Sequence, residues 1–140
     1  MALTIRSATA DDEATVIDLW TRCGLVVSHN DPGADFRFAR AGPSSDVLVA
    51  VDADRRIVGS IMVGHDGHRG WLYYVAVDPD CRRQGLGRSL VAAAEQWLIA
   101  RGIAKVQLMV RETNHEVAAF YARIGYDPMP RINMQKWLKT

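Results

Sequence analysis

Short apolar runs rich in β-branched residues alternate along the chain with segments of helical period, and this alternation limits the possible folds more than any other feature. Three such runs, residues 47–51, 57–63 and 71–77, follow one another with only polar turns between them. This spacing predicts an antiparallel meander of three strands. Helix-period segments flank the meander, and 140 residues is the usual length of one domain. The sequence therefore predicts a single domain, residues 1–140, of the α/β or α+β class.

Further elements are predicted on both sides of the meander from turn residues and helix caps. Thr9 is placed to cap a first helix that stops before Gly24, after which residues 28–35 are all turn formers. Thr113 and Glu116 have the spacing of a capping box, which predicts a last helix that ends at Gly125. The other predicted elements are short strands over residues 3–7, 105–110 and 132–138, a short helix over 36–41, and a long helix between Gly85 and Gly102.

Composition excludes several classes of protein. Lys and Arg number 17 and Asp and Glu 16, so the net charge of +1 creates no field that would attract nucleic acid or an anionic membrane. The longest charge-free apolar stretch, residues 71–77, is far shorter than the ~20 residues of a membrane span. Cys23 and Cys81 are isolated, which indicates reduced thiols. We expect a cytoplasmic protein, a monomer or homodimer, with neither nucleic acid nor membrane as partner.

The most informative stretch is residues 75–90, in which an apolar strand leads through Asp78 and Pro79 into a turn that opens a helix. A helix N-terminus exposes N–H groups and carries partial positive charge, and Gly85 and Gly87 allow an anion to approach the backbone. The pattern lacks the glycine and lysine positions of the dinucleotide fingerprint and the P-loop. A diphosphate suits this turn better than a single carboxylate does. Further positive charge comes from Arg82, Arg83 and Arg88.

Two blocks of the sequence, in matching order and spacing, resemble a known family. The first is the turn 82–87, and the second is a set along the last predicted helix: Asn114, Ala118, Phe120, Tyr121, Gly125 and Tyr126. Together they resemble the GCN5-related N-acetyltransferases (GNAT) over most of the chain. Residues 30–32 and 66–70 are similar to the bacterial YpeA-like subgroup. The resemblance implies the GNAT fold, a central mixed, mostly antiparallel twisted sheet of about six to seven strands with about four helices on both faces.

The resemblance also implies a co-substrate, acetyl-CoA, and a set of residues that bind it. In the family the turn binds the diphosphate, and the preceding strand pairs through its backbone with the pantetheine. The tyrosine that matches Tyr121 lies near the CoA sulfur and can protonate the departing thiolate. The implied acetyl-CoA-binding residues are Val75, Val77, Arg82, Arg83, Gln84, Gly85, Gly87, Arg88, Asn114 and Tyr121.

Acetyl transfer needs a neutral amine, whereas an alkyl amine is almost fully protonated at pH 7. Family members commonly use a glutamate as the base, but the matching positions here are Trp71 and Met109, and neither can accept the proton. We therefore expect Asp31 or His68 to take it, with Asp66 or a water held by Tyr73 or Tyr74 as alternatives. The residues expected to bind the acceptor are Asp31, Asp66, His68, Arg69 and Tyr73. Three acidic residues expected in loops there, Asp31, Asp35 and Asp66, would favour a cationic amine, and Arg69 would suit a carboxylate.

The sequence thus predicts an N-acetyltransferase in which an amine attacks acetyl-CoA directly in a ternary complex. The expected acceptor is a small amine or an amino-acid-like molecule. Two alternatives stay open: an enzyme that acetylates protein lysines or N-terminal amines, and a non-catalytic acyl-CoA sensor. His65, Asp66 and His68 lie in one turn without a distant fourth ligand, so no metal is expected.

Overall fold

The structure is a computed structural model that describes residues 3–139. The internal contacts divide the chain into two compact units, residues 1–108 and residues 109–140. That these units form a single domain stays a prediction. The first unit holds five strands: β1 (Thr4–Ser7), β2 (Ser45–Val51), β3 (Ile57–His65), β4 (Gly70–Val77) and β5 (Val106–Gln107). It also holds the helices α1 (Glu13–Arg22), α2 (Pro32–Ala41) and α3 (Leu86–Ile99). The second unit holds α4 (His115–Arg123).

The five strands form one sheet in the order β1-β2-β3-β4-β5. All neighbours are antiparallel except β4 and β5, which are parallel. A mixed, mostly antiparallel sheet with four α-helices confirms the predicted fold class, but six to seven strands was too many. No strand forms over residues 132–138, where Ile132 and Leu138 are 90% and 89% exposed, because no strand of residues 3–139 pairs with that segment.

Helices cover both faces of the sheet. On one face, α1 and α2 bury Trp20 and Phe36 against Val47 and Val49 of β2. On the other face, α3 packs so closely that a Cβ added at Gly70 of β4 would lie 2.5 Å from Leu98 Cδ1. These contacts place α3 directly against β4, the strand that precedes it.

Two helices begin at residues other than those predicted. α2 starts at Pro32, because Asp31 Oδ1 accepts a hydrogen bond from the Ala34 N–H at 3.0 Å and thereby caps the helix. The run of turn formers is therefore partly a helix N-terminus. The cap of α4 is Asn114, whose Oδ1 accepts from the Val117 N–H at 3.3 Å, and not Thr113.

Candidate active site

Strand β4 contains a bulge at its centre. Met62 of β3 pairs with Tyr73, and Ser60 pairs with Ala76, so Tyr74 and Val75 lie opposite the single residue Ile61. Tyr74 has a φ of 49°, in the left-handed region that a tyrosine rarely adopts. A bulge of this kind bends the strand and changes the direction of its side chains.

One edge of β4 is open beyond the bulge. β5 pairs only with Gly70 and Trp71, at the beginning of β4. Within residues 3–139 no strand pairs with that edge from Leu72 to Val77. Backbone groups of Val75 and Val77 therefore belong to the part of β4 where an extended ligand can add to the sheet. The Val77 carbonyl also accepts a hydrogen bond from Cys23 Sγ at 3.3 Å.

The turn after β4 ends in a helix N-terminus without a side-chain cap. Gly85 precedes α3 with a φ of +78°, and an added Cβ there would have no atom within 4 Å. Arg83 also has a positive φ, of 67°. Among residues 3–139 no side chain caps the first N–H groups of α3, and there is open space beside Gly85, as an anion site requires. The side chains of Arg82, Arg83, Gln84 and Arg88 are exposed beside them.

The start of this turn is fixed by Asp78. Its carboxylate accepts hydrogen bonds from the Asp80 N–H at 2.9 Å and from Arg22 Nη1 at 3.0 Å. Both contacts stabilise the charged form, so the pKa of Asp78 is lowered, mainly by the Asp80 N–H. Asp78 therefore connects the turn to the C-terminal end of α1.

A pocket of about 330 Å³ lies beside the bulge, and we call it the tyrosine pocket. α2 contributes Asp35 and Phe38, and Phe38 is 82% exposed. Tyr73 and Tyr74 are neighbours in sequence and both line the pocket. In a regular strand, adjacent side chains point to opposite faces, so the bulge accounts for their shared position. The described residues that line it are Asn30, Asp35, Phe38, Met62, Tyr73 and Tyr74.

Tyr74 is held from two sides. Its hydroxyl donates a hydrogen bond to Asp35 Oδ2 at 2.7 Å, and its ring stacks on Trp20 with 4.0 Å between centroids. Trp20 is fully buried, and its Nε1–H donates to Ser60 Oγ at 2.8 Å. Burial and the Asp35 carboxylate raise the pKa of Tyr74 to about 12. The phenol is therefore a hydrogen-bond donor, and Asp35 is its acceptor.

The residues predicted to contact the acceptor are dispersed. Tyr73 lines the tyrosine pocket, and burial raises the pKa of its phenol. Asp31 caps α2, and its charge also contributes to the raised pKa of Tyr74. Asp66, His68 and Arg69 lie in the loop between β3 and β4.

That loop is closed by Asp66 Oδ1, which accepts from the N–H groups of His68 and Arg69 at 2.8 and 2.7 Å. Both hydrogen bonds lower the pKa of Asp66, and the one from the Arg69 N–H lowers it more. The side chains of Asp66 and His68 are exposed. The hydrogen bonds to Asp66 Oδ1 therefore give Asp66 a role in forming the turn.

In the second unit, Tyr121 is 8% exposed and contacts Phe120 and Tyr126 edge to face, with centroids 5.0 and 5.5 Å apart. Burial raises the pKa of its phenol to about 12. Asn114 caps the helix that carries Tyr121. A buried phenol with this pKa keeps its proton at neutral pH.

Sequence reasoning missed three residues of the tyrosine pocket: Asn30, Phe38 and Met62. Helical spacing assigns Phe36 and Ala39 of α2 to the buried face, and this leaves Phe38 on the opposite side. An exposed phenylalanine beside a buried one was therefore the available signal. Met62 gave no signal, because its position depends on the bulge.

Two properties of the described residues bear on partners. Within residues 3–139, no three His, Cys, Asp or Glu side chains are arranged to hold a metal ion. No helix in the same range has the length and apolarity needed to cross a membrane.

Comparison with known proteins identifies the family. The model described as the acetyltransferase (GNAT) family matches residues 12–126. An acetyltransferase from Pectobacterium atrosepticum is 40% identical over 134 residues, which cover 96% of this chain and 94% of that protein. The chain belongs to the GNAT family and is an acetyltransferase by class, which confirms the resemblance read from residues 82–87 and 114–126. GNAT acetyltransferases use acetyl-CoA.

Solved structures share the fold. AAC(6′)-Iy in complex with the bisubstrate analogue CoA-S-monomethyl-acetylneamine superposes with a TM-score of 0.83 at 18% identity, covering 98% of this chain and 99% of that chain. Glucosamine-6-phosphate N-acetyltransferase from Arabidopsis thaliana gives 0.75 at 20% identity, covering 99% and 100%. At these identities the likeness is one of fold.

Proposed function

We propose that the protein transfers the acetyl group of acetyl-CoA to the primary amine of a small molecule by direct attack in a ternary complex. The observation that carries the proposal is the uncapped N-terminus of α3, opened by the left-handed Gly85, in a chain of the GNAT family. It stands directly after the strand whose edge is open. The tyrosine pocket, on the same strand, is large enough for a small acceptor.

The residues around this turn fit a CoA diphosphate. The open space at Gly85 admits an anion to the N–H groups of α3, and Arg82, Arg83 and Arg88 supply neutralising charge. The free edge of β4 offers backbone hydrogen bonds to the amides of the pantetheine, as an added strand would receive. Val75 and Val77 are the positions for these bonds.

The transfer itself forms one bond and breaks another. The amine nitrogen attacks the thioester carbonyl, the C–N bond forms, and the C–S bond breaks to release the CoA thiolate. We assign to Tyr121 the proton that this thiolate takes up. The family resemblance supports this role, and the raised pKa of Tyr121 keeps its phenol protonated. The amine loses a proton to a base, for which Asp31 and His68 are our candidates.

Asp31→Asn and His68→Asn test the assignment of the base. The variant that removes the true base should lower kcat/KM for the amine and shift the acidic limb of the pH–rate profile, with acetyl-CoA affinity unchanged. If neither variant changes that limb, proton removal uses Asp66, solvent or a water held by Tyr73 or Tyr74, and both residues have only their local roles.

The function itself is tested by incubating the protein with acetyl-CoA and a panel of amines and peptides. Release of free thiol together with a product heavier by one acetyl group would support transfer. Acetyl-CoA binding without any acetylated product would overturn the proposal in favour of a sensor. Acetylation of peptides alone would show that the acceptor is a protein amine.

A further inference from the structure

Among residues 3–139, the lining of the tyrosine pocket has one charged residue, and it is negative. Asp35 carries a carboxylate, and neither arginine nor lysine is among the described residues that line the pocket. Most of the remaining wall is aromatic or thioether surface from Phe38, Met62, Tyr73 and Tyr74. Aromatic faces attract cations and pack against apolar groups. The wall therefore suits a molecule with a cationic end and an apolar body.

Asp35 is held in place by Tyr74. Its Oδ2 accepts the tyrosine hydroxyl at 2.7 Å, while Tyr74 is fixed by its stacking on Trp20. Within residues 3–139 no second hydrogen bond to the Asp35 carboxylate is found, so Oδ1 is available to a ligand. Asp31 adds further negative charge near the same tyrosine.

We propose that Asp35 binds the ammonium group of the acceptor, and that the acceptor is a primary amine with an apolar stem and no anionic group. This inference rests on the proposed function and narrows its acceptor. A carboxylate or phosphate on the acceptor would meet Asp35 without a cation among the lining residues to neutralise it. Phe38, 82% exposed at the pocket, would be covered by the apolar stem.

Three probes separate the charge from the stem. 2-Phenylethylamine has the proposed chemistry, phenylalanine adds only a carboxylate, and glucosamine 6-phosphate replaces the apolar stem with a polar, anionic one. Their binding to the full chain saturated with CoA is measured by calorimetry. We expect 2-phenylethylamine to bind at least tenfold more tightly than either of the others.

Asp35→Asn tests the residue. The amide oxygen can still accept the Tyr74 hydroxyl, so the variant removes charge and keeps the hydrogen bond. Loss of a charge-assisted contact predicts roughly 10- to 100-fold weaker binding of 2-phenylethylamine, with unchanged affinity for acetyl-CoA. The control is Asp11→Asn, which removes an exposed carboxylate from the 3₁₀ turn Ala10–Asp12 that precedes α1 and should leave both affinities unchanged.

The outcomes distinguish this inference from the proposed function. The inference is overturned if Asp35→Asn binds 2-phenylethylamine as tightly as the parent does. It is also overturned if the parent does not bind 2-phenylethylamine, or binds phenylalanine or glucosamine 6-phosphate more tightly than 2-phenylethylamine. Thiol release is then measured with the wider amine panel. If the binding test fails but other amines are acetylated, the proposed function stands and only the inference about Asp35 is wrong. If no amine is acetylated, the proposed function is wrong, and the binding results still decide what Asp35 binds.

Discussion

Gly85 and Gly102 allow the diphosphate site to be tested with a matched pair of variants. They stand at opposite ends of α3 with nearly the same backbone conformation, φ of +78° and +76°. At both positions an added Cβ would have no atom within 4 Å. Alanine at either position therefore creates no clash in the protein, but it must adopt a left-handed conformation that costs about 1–2 kcal/mol.

We expect Gly85→Ala and Gly102→Ala to destabilise the fold equally. For a chain of 140 residues, a loss of about 1 kcal/mol lowers Tm by roughly 3–6 °C. Only Gly85→Ala should weaken acetyl-CoA binding, because its Cβ would occupy the space through which an anion reaches the α3 N–H groups. Loss of one charge-assisted hydrogen bond there predicts roughly 10- to 100-fold lower affinity.

Thermal unfolding and calorimetric titration with acetyl-CoA measure the two effects separately. Both titrations are performed well below the Tm of either variant, so that each protein is folded. If Gly85→Ala binds acetyl-CoA as tightly as the parent, the diphosphate does not lie at the α3 N-terminus. If both variants lose affinity equally relative to the parent, the loss does not come from a Cβ beside that N-terminus, and the site assignment is refuted as well.

Three further predictions concern buried side chains. Tyr121→Phe should lower kcat on an accepted amine at pH 7 by roughly 10²- to 10⁴-fold while acetyl-CoA affinity stays unchanged, and equal turnover would remove Tyr121 from the mechanism. Because burial raises the pKa of Tyr121 from 10.0 to about 12, its contribution to stability is complete below pH 10 and lost as the pH rises toward 12. The free energy of unfolding should therefore fall by up to roughly 3 kcal/mol more in the parent than in Tyr121→Phe over that window; parallel urea-unfolding curves would contradict this. Ser60→Ala should cost about 1–3 kcal/mol in urea unfolding, since Trp20 Nε1–H loses its buried acceptor. Ser89→Ala, at an exposed position of α3, is the control, and an equal change in both variants would refute the argument.

Elements with strong periodicity were predictable from the sequence. The runs over residues 47–51, 57–63 and 71–77 became β2, β3 and β4 with ends moved by two residues or fewer. β-Branched alternation and polar turns determine such strands locally. The strand over 132–138 was not predictable in this way, because a strand also needs a neighbour with which to pair, and sequence period does not supply one.

The two halves of the candidate site also differ in how far local sequence predicts them. The turn before α3 was recognised from its glycines and arginines, because a left-handed residue and a helix N-terminus are local features. The tyrosine pocket depends on the bulge, which is a property of the pairing between β3 and β4. Period-two alternation alone assigns Tyr73 and Tyr74 to opposite faces. Their convergence on one pocket thus required the register of the sheet.

Tyr74 combines a strained, left-handed backbone with side-chain contacts that shape the tyrosine pocket. A tyrosine with a φ of 49° carries backbone strain of about 1–2 kcal/mol, and its stacking on Trp20 and its hydrogen bond to Asp35 offset that strain. Glycine at position 74 would relieve the backbone but lose both contacts. Because the relief and the losses are of similar size, laboratory selection for heat resistance alone would tolerate changes at the bulge that selection for acetylation would reject. Divergence at this position between the two selected populations would mark the bulge as retained for the pocket it shapes.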